Sequence, residues 1–160
     1  MTTLRKEVLQ KYPNEIFLEL GTYMGDGTQV ALDSGFRRVI TVEIDEVKHA
    51  NAKKRFEEVH AVEPLLGTSE SILETILPGI DSPMTIWMDA HNNGNCPILR
   101  ELDIIKQHKI KTHTLLIDDC RMFGREEHEN ISLVSVINKV KEINNDYYIT
   151  FEDRKSTRLN

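Results

Sequence analysis

The sequence is poor in cysteine, with only Cys96 and Cys120 in 160 residues. They have neither CxxC spacing nor a secretory context, which excludes a disulfide framework and a cysteine-held structural metal, and both are expected as reduced thiols. Long hydrophobic runs are missing too: no apolar stretch approaches the roughly 20 residues of a membrane-spanning helix. The opening "MTTLRKEVLQKYP" lacks the apolar core and small-residue cleavage site of a secretory signal, so the expected address is cytoplasmic, with no membrane partner. Basic residues are in deficit, 20 Lys and Arg against 26 Asp and Glu, for a formal net charge of −6. Nucleic-acid surfaces draw their affinity from cations that neutralise phosphates, so small molecules or proteins are the expected partners, not nucleic acid. Internal repeats, low-complexity tracts and linkers are absent, and the length suits one domain, expected over residues 1–152. The last eight residues, "DRKSTRLN", are basic and polar and resemble the translation of a common sequencing adapter. Residues 153–160 are therefore read as a non-native or disordered tail, and the remaining body is more acidic than the whole.

Two lengths of hydrophobic segment alternate along the chain. "EIFLEL" (15–20), "RVITVEI" (38–44), "AVEPLL" (61–66), "MTIWMD" (84–89), "THTLLID" (112–118) and "DYYITFE" (146–152) are short and rich in β-branched or aromatic residues, and read as six strands. Helical patterns lie between them: "GTQVALDSG", "DEVKHANAKKRFEEV" opening on Asp45, "SESILETIL" opening on Ser69, "PILRELDIIKQH" with Pro97 as first residue, and "NISLVSVINKVKEI" with Asn130 as cap. Strand–helix alternation predicts an α/β fold: a Rossmann-like, open, doubly wound and mostly parallel sheet in three α/β/α layers. Ligands of such sheets sit at the carboxyl ends of the strands, so the residues after each strand are the ones to search.

After the first strand comes "LELGTYMGDGT", with Gly21, Gly25 and Gly27 leading into a helix. Glycines there let backbone approach a ligand and present helix N–H groups to it. The spacing is GxxxGxG, not the GxGxxG of dinucleotide sites, and no Lys-Ser or Lys-Thr pair makes it a phosphate loop. Glu19, ahead of the first glycine, suits a cation better than a pyrophosphate. At the end of the second strand stands a further acid, Glu43. Further on, Asp89 follows the fourth strand, and Asp118 and Asp119 follow the fifth. Adjacent strands are about 4.8 Å apart, so these acids can converge. Carboxylates packed together repel unless a cation sits among them, and oxygen-only ligands favour Mg²⁺ or Ca²⁺ over zinc. Solvated loop acids and helix caps are the plainer alternative. His91 reads as a general base, an extra ligand or a surface loop histidine. Asn92, Asn93 and Asn95 are candidates for lining a pocket, although loops favour Asn in any case. His49, His60, His108, His113 and His128 show no ligand spacing, and "REEHE" (125–129) reads as a solvated loop or a cover over the site.

"FLELGTYMGDGT" resembles the first motif of class I S-adenosylmethionine-dependent methyltransferases, above all the metal-dependent small-molecule O-methyltransferases related to catechol O-methyltransferase. "VITVEID" is similar to the segment whose acid grips the cosubstrate ribose, and "LLGTSESI" to the Gly-x-Ser stretch beside the adenine. The resemblance covers residues 15 to 120 in matching order. It implies cosubstrate contacts from Glu19, Gly21, Thr22, Tyr23, Gly25, Gly27, Thr28, Glu43, Gly67, Thr68, Ser69 and Asp89, with Glu70 also on the adenine side; Ser69 reads equally as a helix cap. It implies Mg²⁺ or another divalent cation on Asp89, Asp118 and Asp119, and catalytic roles for Asp89, His91 and Asp118, although the catechol-type enzymes carry Asp-Asn where this chain has Asp-Asp. The expected reaction is methylation of a hydroxyl on a sugar or phenol. Two rival readings are a cosubstrate-binding module without turnover and a sugar- or nucleotide-modifying enzyme of related fold. The family adds a seventh, antiparallel strand and an N-terminal helical lid. This chain stops after its sixth strand and has about ten residues before its first, so both are expected to be missing. A partner subunit in a homo-oligomer is then expected to supply the missing pocket wall.

Overall fold

A side-chain period of two organises the sheet. In β1 (Ile16–Leu20) and β4 (Met84–Met88), Leu18, Leu20, Ile86 and Met88 enter one core, and Phe17 and Trp87 enter the other. β2 (Arg38–Glu43) divides in the same way, Ile40 and Val42 against Val39. Each such burial stabilises by about 1.5–3 kcal/mol, and burial on both faces is why these strands read as continuous apolar runs. With β3 (Val62–Leu66) and β5 (Thr114–Ile117) they form one five-stranded parallel sheet in the order β3-β2-β1-β4-β5. This computed structural model describes residues 2–91 and 94–152.

Helices cover both faces, giving the expected three layers. On the Phe17 side lie α1 (Lys6–Lys11), which brings Leu9, and α2 (Asp26–Asp33), which brings Ala31, together with Phe36 and Phe56. On the Leu18 side lie α4 (Ser69–Ile76), α5 (Ile98–Gln107) and α6 (Leu133–Ile143), through Leu73, Leu102, Ile105, Val136 and Val140. Between β2 and β3 runs α3 (Glu46–Arg55), capped as expected by Asp45, whose carboxylate accepts Val47 N–H at 2.9 Å and Lys48 N–H at 3.0 Å. No helix among the described residues is long and apolar enough to cross a membrane.

Several local expectations change. Thr68, not Ser69, caps α4, accepting Ser71 N–H at 3.1 Å, and Ser69 is a buried first-turn residue. Ser132 rather than Asn130 caps α6, and Asn130 instead takes a left-handed turn conformation at φ 54°. The short α1 was not foreseen in the mixed "LRKEVLQKYP" segment, whose buried Leu4, Val8 and Leu9 hold it down. Residues 146–152 do not form the expected sixth strand. The Tyr147 carbonyl accepts from Lys141 Nζ at 2.6 Å, so a side chain takes one backbone group that a neighbouring strand would need, and the Glu152 carboxylate pairs with Lys11 Nζ at 2.9 Å. β propensity makes a strand only where another backbone is there to pair with it. Asn92, Asn93 and the 153–160 tail lie outside the described residues.

Candidate functional site

Strand order reverses between β1 and β4, which places the ligand crevice of a doubly wound sheet at their carboxyl ends. Hydrogen bonds between strand ends hold the following loops together there. Gly21 and Thr22 N–H both donate to the Val42 carbonyl at 3.0 Å, Asp89 N–H to Leu20 at 3.0 Å, Gly67 N–H to Glu43 at 2.9 Å, and Asp118 N–H to Met88 at 3.2 Å. Gly21 must be glycine: its φ is 103°, and a β-carbon would come within 2.6 Å of the Asp89 carbonyl oxygen.

Glu19 lies beneath this loop. Its carboxylate accepts from Thr28 Oγ1 at 2.5 Å and from Thr41 Oγ1 at 2.6 Å, Thr41 being its register partner on β2. Burial pushes its pKa up to about 7, against the opposing hydrogen bonds of the two threonines. A β-carbon at Gly27 would overlap Glu19 Oε1, so this glycine makes room for the acid. Glu43, also buried, accepts the Tyr23 N–H on Oε2 and the Asp45 N–H on Oε1.

These residues border one cavity of about 540 Å³, within the range of small-molecule sites. Of the sequence-derived candidates, Glu19, Gly21, Thr22, Tyr23, Gly27, Glu43, Gly67, Thr68, Ser69, Glu70, Asp89, His91 and Asn95 line it. Gly25 and Thr28 do not. Gly25 turns the chain into α2 at φ 78°, and the fully buried Thr28 supports Glu19. Sequence reasoning missed Thr2, Met24, Ile44 and Lys48 in the lining. Ile44 had a signal that could have found it, a large apolar residue directly after a strand-end acid; it is 57% exposed at the cavity edge. Thr2 had none, because the chain before α1 reaches the site only through tertiary packing.

Beyond Asp89 the acids converge. Asp89, Asp118 and Asp119 bring one carboxylate oxygen each to within 4.8 Å of one another. Asp119 sits in a left-handed conformation at φ 48°, its Oδ1 3.2 Å from Arg121 Nη2. Thr3 Oγ1 donates to Asp118 Oδ2, so the N-terminal segment caps the acid corner. His91 Nε2 is 3.4 Å from Asp89 Oδ1 and 3.5 Å from Asp119 Oδ2. Burial raises the Asp89 carboxyl above its ordinary range, opposed by His91 and reinforced by Asp118, and the hydrogen bond to Asp89 raises the His91 imidazole. His128, without ligand spacing in the sequence, is brought in by the loop after β5: it is buried, its ring 4.9 Å from that of His91 and edge-on to Phe123. From the "REEHE" segment, His128 is thus turned toward the site. His108 and His113 lie buried near the start of β4, far along the strands from this corner, hydrogen-bonded to each other. Cys96 and Cys120 are free thiols.

No protein-family model and no curated protein matches the sequence. Solved structures do. A methyltransferase from Podospora anserina in its SAH-bound form superposes with a TM-score of 0.61 at 15% identity, covering 88% of this chain and 64% of the other. An O-methyltransferase from Bacillus cereus in complex with SAH gives 0.60 at 20% identity, covering 86% and 64%. Fibrillarin from Aeropyrum pernix, bound to S-adenosyl-L-methionine, gives 0.59 at 14% identity, covering 82% and 59%. This chain therefore has the fold of class I S-adenosylmethionine-dependent methyltransferases, and it spans somewhat under two thirds of the length of these three structures.

Proposed function

We propose that the chain is a methyltransferase that uses S-adenosylmethionine to methylate a hydroxyl of a small molecule such as a sugar or a phenol, assisted by a divalent cation. One observation carries the reading: a single cavity runs from the strand-end acid Glu43, past the Gly21 loop, to Asp89 at the edge of a three-acid corner. The residues fit the cosubstrate. Each Glu43 oxygen accepts one backbone N–H and keeps a lone pair for a ribose hydroxyl. Ile44 and Met24 offer apolar surface beside it, and Gly21 leaves space where any side chain would collide with Asp89. Asp89, with the acid corner behind it, gives the other end of the cavity a negative character that suits a sulfonium cation.

The acid corner fits a metal ion equally well, and three oxygen donors suit Mg²⁺ or another hard divalent cation. When bound, the donor supplies a methyl group on a cationic sulfur, and a cation on the three acids lowers the pKa of an acceptor hydroxyl. The chain's own part is placement. Asp89 lines the donor cavity and belongs to the acid corner, whereas Asp118 lies outside that cavity and borders a smaller one beside it. Donor and acceptor thus meet at Asp89, and alignment there supplies the proximity effect. The formal charge of −6 favours a small acceptor over a nucleic acid. The test is methyl transfer from labelled S-adenosylmethionine to a panel of sugars and phenols with and without Mg²⁺. Donor binding without transfer to any acceptor would leave only a binding module.

A further inference from the structure

Beside the three-acid corner, a second group of side chains brings metal-ligating atoms together among the described residues: His91, His128 and Asp119, one atom from each, all within 4.8 Å. Three different stretches of chain supply them, the loop after β4, the turn after β5 and the 3-10 turn at Glu126–His128. The spacing of His91 Nε2 from Asp119 Oδ2, 3.5 Å, is long for a hydrogen bond. It matches two corners of a tetrahedron around one ion, since bonds of about 2.0–2.2 Å to nitrogen and oxygen put neighbouring ligands about 3.4 Å apart. Asp119 divides its oxygens, Oδ1 on Arg121 and Oδ2 toward His91, so the oxygen facing the imidazole is not the one that Arg121 holds.

An independent observation points to a polar occupant at this place. His91 and His128 line a cavity of about 20 Å³, together with Asp118, Cys96 and Glu101. That is room for about one water molecule or an ion's exchangeable ligand. Glu101 is 1% exposed, and its Oε1 has no hydrogen-bond partner among the described residues. A buried polar oxygen without a partner costs about 1–3 kcal/mol, and a ligand in this cavity offsets that cost.

We propose that His91, His128 and Asp119 form a second metal seat, adjacent to the all-oxygen triad and sharing Asp119 with it, that takes a borderline transition cation such as Zn²⁺ or Co²⁺. Imidazole nitrogen selects these ions over Mg²⁺, which keeps to oxygen. The seat does not depend on methyl transfer, so its test uses neither donor nor acceptor.

The experiment is titration of the full chain with CoCl₂, followed by visible absorption and calorimetry in a large excess of Mg²⁺. One Co²⁺ binds per chain with the strong visible bands of four- or five-fold nitrogen and oxygen coordination, Zn²⁺ displaces it, and Mg²⁺ does not. His91→Gln and His128→Gln each remove the bands and weaken binding at least tenfold, while His60→Gln, an exposed histidine outside this set, retains them. Because His128 is buried and its variant can fail to fold, the half-exposed His91 decides the matter, with circular dichroism as the fold control. Displacement by Mg²⁺, wild-type binding in His91→Gln, or no stoichiometric Co²⁺ uptake by folded protein would overturn the proposal. A chain that takes Co²⁺ but no S-adenosylmethionine would contradict only the methyltransferase reading, and the reverse result only this one.

Discussion

The backbone N–H of Tyr23 donates to Glu43 Oε2 at 2.8 Å, joining the glycine loop after β1 to the acid that ends β2. Glu43 thus has two tasks, shaping the loop and facing the cavity. Glu43→Ala removes both and is expected to weaken S-adenosylmethionine binding at least a hundredfold. Glu43→Gln keeps one acceptor oxygen and loses the charge, an effect of about 1.5–3 kcal/mol for a charged hydrogen bond. Calorimetric titration of both variants reads the order: wild type, then Gln, then Ala.

Gly21→Ala places a methyl group 2.6 Å from the Asp89 carbonyl oxygen, at a φ of 103°. Backbone on one side and backbone on the other leave nothing that can yield cheaply. The substitution is expected to cost about 1–3 kcal/mol in strain alone and to lower Tm by several degrees. Gly35→Ala is the control for crowding, because its φ of 94° is similar and nothing stands within 4 Å of its added carbon. A thermal melt in which Gly21→Ala loses no more than Gly35→Ala would show that the close approach to β4 is unimportant.

His113 makes stability depend on pH. Met84 N–H donates to its Nδ1 at 3.0 Å, its Nε2 is 2.8 Å from His108 Nδ1, and His108 Nε2 is 3.2 Å from the Ile80 carbonyl. With Met84 N–H on its Nδ1, His113 carries its proton on Nε2 and donates it to His108 Nδ1, and His108 Nε2 donates to the Ile80 carbonyl. Burial holds the His113 pKa down to about 4, below the ordinary 6.5. Above pH 6.5 the folded and unfolded states are both neutral and the contribution is complete. As pH falls through the window from 6.5 to 4, the unfolded chain takes up a proton that the folded chain refuses, and stability drops. Between pH 7 and 5 the loss from this residue is about 2 kcal/mol. His113→Asn, whose amide oxygen can replace Nδ1, is expected to be less stable at pH 7 but to lose less on acidification. Urea unfolding at the two pH values reads the difference, and an unchanged pH slope would reject it.

Asp118 accepts from Thr3 and borders the smaller cavity, not the larger one. Asp118→Asn is therefore expected to bind S-adenosylmethionine within a few-fold of wild type and to lose turnover by a hundredfold or more. Equilibrium binding and initial rates on the same preparation separate the two effects. Lost binding with intact turnover per bound donor would place Asp118 on the donor side instead.

Much of this arrangement was legible in the residue order. Apolar runs such as "EIFLEL" and "MTIWMD" located the five strands, and strand-end acids announced Glu43, Asp89, Asp118 and Asp119, because local pattern decides both. What escaped detection depends on contacts between distant segments. His128 joins His91 only through the turns after β5, and Thr2 and Thr3 reach the site only because Leu4 and Leu9 are buried against the sheet. The six-strand expectation failed for the same reason, since "DYYITFE" has the right composition but pairs with no strand among the described residues.

The most direct test is calorimetric titration of the purified chain with S-adenosylmethionine, with and without Mg²⁺, alongside Glu43→Ala. Micromolar, one-to-one binding by the wild type that vanishes in the variant is the predicted result. No heat from a folded wild-type sample, or equal binding by Glu43→Ala, would contradict the central claim that the cavity between Glu43 and Asp89 holds this cosubstrate.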